Sequence, residues 1–239
     1  GVNIGDFIDN KTGEKFSDLI KKLNQVKTIN RYRISSIEPN LITDEIIELV
    51  KNSNKFMPHF HIPLQSGSDI ILGKMKRRYQ TQLYRNKIQK ITKEITNVCI
   101  GADVIVGFPG EDEACFEESF KNIEAMPLDY FHVFTFSSRE KTVAEKLPNH
   151  IEGPVKKLRN RRLTELSNSR KDAFLQRQLG RKLEVVVERE RPAPGYLKGL
   201  SSNYVPVIFE SELNKSLQMV SVKVDEFHRN KVHAKLVTA

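Results

Sequence analysis

His59 and His61 stand two residues apart in a short stretch of apolar residues. Strand side chains repeat every two residues, so this pair presents both imidazoles to one face. The spacing suits a zinc site of the kind found in barrel hydrolases. His132 sits in a second strand-like run, but no carboxylate at an obvious strand end completes a donor set. The pattern favours packing or substrate contact over metal ligation, and we assign no metal ligand. Cys99 and Cys115 are the only cysteines. They are too few for a disulfide framework or a four-cysteine metal site. They suit a reducing compartment, so we expect a cytoplasmic protein.

The stretch Gly101–Asp112, GADVIVGFPGED, offers different chemistry. Ala102, Val104, Ile105 and Val106 form a buried strand in which Asp103 is the only charge. Gly107-Phe108-Pro109-Gly110 then breaks it. Two glycines around a proline give a tight turn where the backbone can approach a ligand. Glu111, Asp112 and Glu113 suit the first turn of a helix, and Phe116, Phe120 and Ile123 follow at helical spacing. A plain strand-to-helix turn without a ligand is the alternative.

Other elements must hold these stretches. Helices are predicted over Lys15–Asn24, after the capping residue Thr43, over Asp69–Lys76, and along Tyr84, Ile88, Ile91 and Ile95. Strands are predicted at Arg31–Ile37, His59–Ile62, Gly101–Val106 and Tyr130–Phe136. The alternation implies an α/β fold, a partial (βα) barrel with parallel strands and ligand chemistry at the strand carboxyl ends. Ser35, Ser36, Gln65, Ser66, Gly107 and Ser137 stand at those ends and define one rim.

From Gly153-Pro154 a basic helix runs to about Leu179, with Gly180 as its stop. Strands at Leu183–Val187, Tyr204–Phe209, Met219–Val224 and Val232–Val237 then predict a small antiparallel β-barrel of OB-like type. We expect a barrel domain over 1–152, a connecting helix over 153–177 and a small domain over 178–239. The net charge of +9 is uneven: residues 1–150 carry +1 and residues 151–239 carry +8. That asymmetry points to a catalytic body with a nucleic-acid-facing tail, or to a solvated basic surface. No apolar run approaches the ~20 residues of a membrane span, and no membrane partner is expected. The sequence sets no oligomeric state.

Taken together, His61–Tyr79 (HIPLQSGSDIILGKMKRRY) and GADVIVGFPGED resemble the radical S-adenosylmethionine methylthiotransferases, closest to those acting on tRNA threonylcarbamoyladenosine. Arg33-x-Ser35-Ser36-x-Glu38-Pro39, Phe134–Ser137 with Leu147-Pro148, and Gly199–Val207 extend the likeness, the last to the family's RNA-binding TRAM barrel. The resemblance implies a 4Fe-4S cluster that reduces S-adenosylmethionine to a 5′-deoxyadenosyl radical, and a second cluster for sulfur insertion. It implies that Gln65 and Ser66 bond the ribose of S-adenosylmethionine and that Ile105 walls its adenine. Gly107 then lets the backbone approach, Ser35 lies on the same rim, and Gly1 and Asn3 lie near the methionine amino group. For a tRNA partner it implies phosphate contacts from Lys156, Lys157, Arg159, Arg161, Arg162, Arg170 and Arg177, with Asn203 and Tyr204 supplying polar and aromatic contacts.

The sequence departs from the family in two places. The adenine-contact pattern G-x-I-x-G-x-x-E is only partly matched, with Asp103 at the first glycine and Glu111 one place late. The cluster-binding C-x-x-x-C-x-x-C loop does not occur, so we expect a carboxyl-terminal fragment, inactive alone, whose cluster ligands precede Gly1. Two alternatives stand beside this. One is a non-catalytic RNA-binding module. The other is a methylthiotransferase for isopentenyladenosine tRNA or a ribosomal protein.

Overall fold

The computed structural model describes residues 4–211 and 216–237. The chain divides into two compact units, residues 1–167 and 168–239, and the division falls within a long helix.

In the first unit, helices alternate with four strands. They are α1 (Phe16–Gln25), β1 (Tyr32–Ile34), α2 (Asp44–Lys51), β2 (Phe56–His61), α3 (Asp69–Lys74) and α4 (Thr81–Glu94), then β3 (Cys99–Val106), α5 (Glu113–Glu124) and β4 (Tyr130–Thr135). The sheet order is β1-β2-β3-β4 and each pairing is parallel. Local chemistry fixes the helix starts. The Thr43 hydroxyl accepts from the Ile46 N–H at 3.2 Å, and the Asp112 carboxylate accepts from the Cys115 N–H at 2.8 Å. Each satisfies a backbone donor that the first helical turn leaves open.

Alternate strand residues divide the sheet into two faces. Phe60, Ile100, Ala102, Val104, Val106 and Phe131 are buried against the helices, in one core with Ile20, Ile47, Tyr84, Ile88 and Phe116. Each such large side chain contributes about 1.5–3 kcal/mol through burial. The opposite face carries the histidines.

Strands β1 and β2 differ most from expectation. β1 is only three residues long. β2 starts at Phe56, through Pro58, which in sequence argues against a strand. The proline is accommodated because pairing with β3 begins only at His59, and pairing with β1 shifts register between Tyr32 and Ile34.

The long helix α6 (Gly153–Gln176) runs from the first unit into the second. The second unit closes a barrel from β5 (Lys182–Val187), β6 (Tyr196–Ser201), β7 (Pro206–Glu210), β8 (Met219–His228) and β9 (Lys231–Leu236), in the order β5-β6-β7-β9-β8. The expectation of an antiparallel barrel needs one correction: β7 and β9 pair in parallel, and the other pairings are antiparallel. β6 is missing from the strands expected above because Gly199 interrupts it. The glycine is required there, since a Cβ would lie 2.3 Å from the Val186 carbonyl oxygen. The strand expected from Tyr204 starts instead at Pro206, because Tyr204 turns the chain with φ +67°.

Candidate active-site face and rim

The helix-free face of the first sheet is polar, and the strand register explains its geometry. Parallel partners point to the same side, so His61, Gly101 and Tyr130 form one row, Asp103 and His132 the next, and Ile105 and Phe134 the one beyond. Gly101 has a specific role in the first row. A Cβ on it would lie 2.4 Å from the Tyr130 ring. The missing side chain lets that ring cross the strand, where its hydroxyl meets His59 Nε2 at 3.0 Å. Burial pushes the His59 pKa down to about 3, aided by the charges of Arg33 and His61.

Asp103 completes the donor set that the sequence did not reveal. One carboxylate oxygen lies 3.0 Å from His61 Nε2 and the other 3.3 Å from His132 Nδ1. The two imidazole rings are stacked with centroids 5.7 Å apart. Burial acts to raise the Asp103 pKa, but the hydrogen bonds and charges of His61 and then His132 outweigh it, and the carboxyl sits below its ordinary range.

The turn after β2 is built from within. Gln65 adopts φ +69°, and its backbone bridges to β3 through Asp103 O and Ile105 N–H, each at 2.8 Å. Gln65 is half-buried and stays on the rim, whereas Ser66 is buried and its hydroxyl accepts from the Ser68 N–H at 3.2 Å. That contact makes Ser66 part of the turn's own bonding. Helix α5 holds the turn: Ser119 accepts from the Gly67 N–H, Asn122 donates to the Gly67 carbonyl, and Ser68 donates to Glu118. Tyr79 donates to the carbonyls of Pro63 and Leu64, which explains the distant tyrosine of the HIPLQSGS…KMKRRY stretch. Ser35 is exposed at the end of β1, and Gly1 and Asn3 lie outside the described residues.

The glycine turn after β3 is also held internally. Gly107 has φ +74°, and a Cβ on it would lie 2.5 Å from Lys156 Cγ. Its N–H donates to the Glu111 carboxylate. Glu111 does not sit in the first turn of α5; it is buried and paired with Arg159. The positive φ alone favours glycine at 107, and the space a Cβ would take is held by this chain's own Lys156.

Two adjoining cavities open beside these turns. One, of about 410 Å³, is lined by Ile105, Phe134, Phe136, Arg139 and Thr142, among others. The other, of about 220 Å³, shares Ile105 and Phe136 and adds Met75, Phe108 and Leu147. Apolar walls with a few polar groups are what a flat heterocycle requires. Ile105 lines both cavities.

The basic helix is less available than its composition suggests. Arg159 is 4% exposed and donates to the Glu111 carbonyl, the Glu111 carboxylate and Glu113. Arg162 is bonded to Glu117 and lies over Phe116 and Phe120. Lys156 donates to the Phe136 carbonyl at 3.3 Å. A phosphate would have to displace these partners, so Arg159 in particular leaves the set of phosphate contacts. Lys157 and Arg161 are exposed. In the second unit Arg177 is exposed and lies over Phe174, and Arg170 is half-buried. Asn203 is only 1% exposed and bonds to Ser201 and Gln178, so it braces the barrel and presents no face to RNA. Tyr204 is half-buried. A cavity of about 410 Å³ on the barrel is lined by Glu210, Asp225, Glu226, His233 and Lys235 among others, and Lys235 pairs with Asp225 at 2.8 Å.

The sequence and the fold both have relatives among known proteins. The sequence matches the Radical SAM superfamily over residues 4–123, half of the chain, and the chain belongs to that superfamily. Coproporphyrinogen III oxidase (HemN) from Escherichia coli shares the fold alone, with TM-score 0.51 and 14% identity over 88% of this chain and 50% of that one. The curated relatives are narrower in kind. Threonylcarbamoyladenosine tRNA methylthiotransferase MtaB of Bacillus subtilis is 32% identical over 94% of this chain and 51% of its own length. The tRNA-2-methylthio-N(6)-dimethylallyladenosine synthase of Fusobacterium nucleatum is 34% identical over 95% and 52%. The chain spans about half the length of the curated relatives it matches. No helix among the described residues is long and apolar enough to cross a membrane.

Proposed function

We propose that this chain is part of a radical S-adenosylmethionine methylthiotransferase that modifies threonylcarbamoyladenosine in tRNA. The observation that carries this reading is the 32% identity to the Bacillus subtilis enzyme of that name across 94% of the chain. S-Adenosylmethionine fits the residues present. Ile105 and Phe136 give an apolar wall, and the Gln65 carbonyl accepts the Ile105 N–H at 2.8 Å. When bound with a 4Fe-4S cluster, it would supply a carbon radical. This chain's part is to hold the nucleoside, exclude water with Phe134 and Phe136, and fix the turns at Gln65 and Gly107.

The cluster itself does not fit the residues present. Cys99 lies in β3 and Cys115 in α5, both buried. Such clusters are held by several convergent thiolates. In this reading the thiolates come from outside these 239 residues, and no step is assigned here to Cys99 or Cys115. tRNA is the proposed partner, engaged by Lys157, Arg161, Arg170 and Arg177.

A second reading has its own support: the 34% identity to the Fusobacterium enzyme favours a dimethylallyladenosine substrate. Deleting the gene that encodes this chain, then profiling total tRNA nucleosides by mass spectrometry, separates the two. Loss of the methylthio form of threonylcarbamoyladenosine supports the first reading. Loss of only the dimethylallyl counterpart moves the substrate, and an unchanged profile defeats both.

A further inference from the structure

We propose that His61, Asp103 and His132 form a binding site for one first-row divalent metal ion, of the zinc or ferrous class. The three donors come from three adjacent strands, β2, β3 and β4, and register places them on the same face. Their ligand atoms lie within 4.8 Å of one another. Around an ion bonded at about 2.0–2.2 Å, donor atoms stand roughly 3–3.5 Å apart. Closing the site therefore takes side-chain rotations of about an ångström and no movement of the strands.

The chemistry of the donors agrees with the geometry. Two imidazoles and one carboxylate form a donor set that binds zinc or ferrous ions while leaving coordination positions open. The site is walled on one side and open on the other: His61 is 13% exposed, Asp103 25% and His132 58% by side chain. The support beneath it is fixed. His61 packs against Tyr130 with ring centroids 6.4 Å apart, and Tyr130 is anchored on His59. This packing limits the orientations open to the His61 ring. The competing account is a hydrogen-bonded cluster that holds only protons. Both accounts share the resting geometry, so binding must decide.

The test uses this chain without an affinity tag and freed of chelators. Zn(II) is titrated against a chromophoric chelator, and Co(II) is added for its visible d–d bands. We expect one ion per chain, no thiolate charge-transfer band, and affinity lowered by at least about tenfold in each of His61→Ala, Asp103→Asn and His132→Ala. His132 is an exposed side chain on β4, so His132→Ala and His132→Gln test the site even where a His61 variant fails to fold. Circular dichroism verifies the fold of each. Four results overturn the proposal. One is the lack of a stoichiometric ion at millimolar metal. Another is binding unchanged in folded His132→Ala and Asp103→Asn. A thiolate band would place the ion on a cysteine. Loss of binding in His228→Ala would place it on the His228–His233 pair of the small barrel.

Discussion

The Arg159 guanidinium lies 3.1 Å from the Glu111 carboxylate, with both side chains almost fully buried. The same carboxylate accepts the Gly107 N–H. A single ion pair thus ties α6 to the glycine turn that follows β3. Burial pushes the Glu111 pKa up, and the Gly107 N–H and Arg159 only partly restore it. Arg159 offsets part of its own desolvation through three bonds, to Glu111 twice and to Glu113.

Arg159→Met should therefore destabilise the chain by about 3–5 kcal/mol, because it strands a buried carboxylate. Adding Glu111→Gln should recover part of the loss. Urea unfolding of the two variants measures this, and a cost of under about 1 kcal/mol for the single change would show that the pair holds nothing.

His59 gives a pH dependence of defined sign. Its folded pKa of about 3 lies below the 6.5 of an exposed histidine. Between those values the unfolded chain binds the extra proton, so stability present above pH 6.5 is lost as pH falls toward 3. The full effect is at most roughly 4–5 kcal/mol. His59→Gln keeps a polar partner for Tyr130 without titrating. Its stability should fall less steeply than that of the parent over the same window, and parallel curves would contradict the assignment.

Gly13 and Gly107 share φ +74°, yet only Gly107 has a neighbour where a Cβ would stand. Gly13→Ala should cost about 1–2 kcal/mol for backbone alone. Gly107→Ala should cost more, and Lys156→Ala in the same chain should remove the excess. Equal costs for the two alanines in thermal unfolding would mean that Lys156 simply moves aside.

For tRNA binding, Lys157→Ala with Arg161→Ala should shallow the salt dependence of affinity by roughly 0.7–0.9 for each phosphate no longer neutralised. Different tRNAs should weaken alike, since phosphate contacts position without specifying. Filter binding across a salt series reads the slope. An unchanged slope would leave these cations as solvated surface.

The parallel sheet, its helices and the rim were legible because the βα alternation and the turn residues are local signals. The polar face was half legible. His59 and His61 announce a shared side, but Asp103 and His132 join them only through register, which no local pattern encodes. Arg159 reads as surface in the sequence because it stands in a run of cations. Helical spacing offers the missing sign, since Arg159, Leu163 and Ser167 recur every four residues and all three are buried. Ser66 and Asn203 were not legible for a similar reason: a polar residue in a turn bonds to its neighbours as readily as to a ligand, Ser66 to the Ser68 N–H and Asn203 to the Ser201 and Gln178 side chains.

The order of staves in the small barrel constrains how it is made. β9 lies between β7 and β8, and it is the last strand among the described residues. Until Lys231–Leu236 has been synthesised, β5 to β8 can form only an open sheet with two unpaired edges. Such edges invite pairing with other chains. On the ribosome the barrel therefore stays open until this strand has left the exit tunnel, and a nascent chain cut at residue 230 would expose both edges at once.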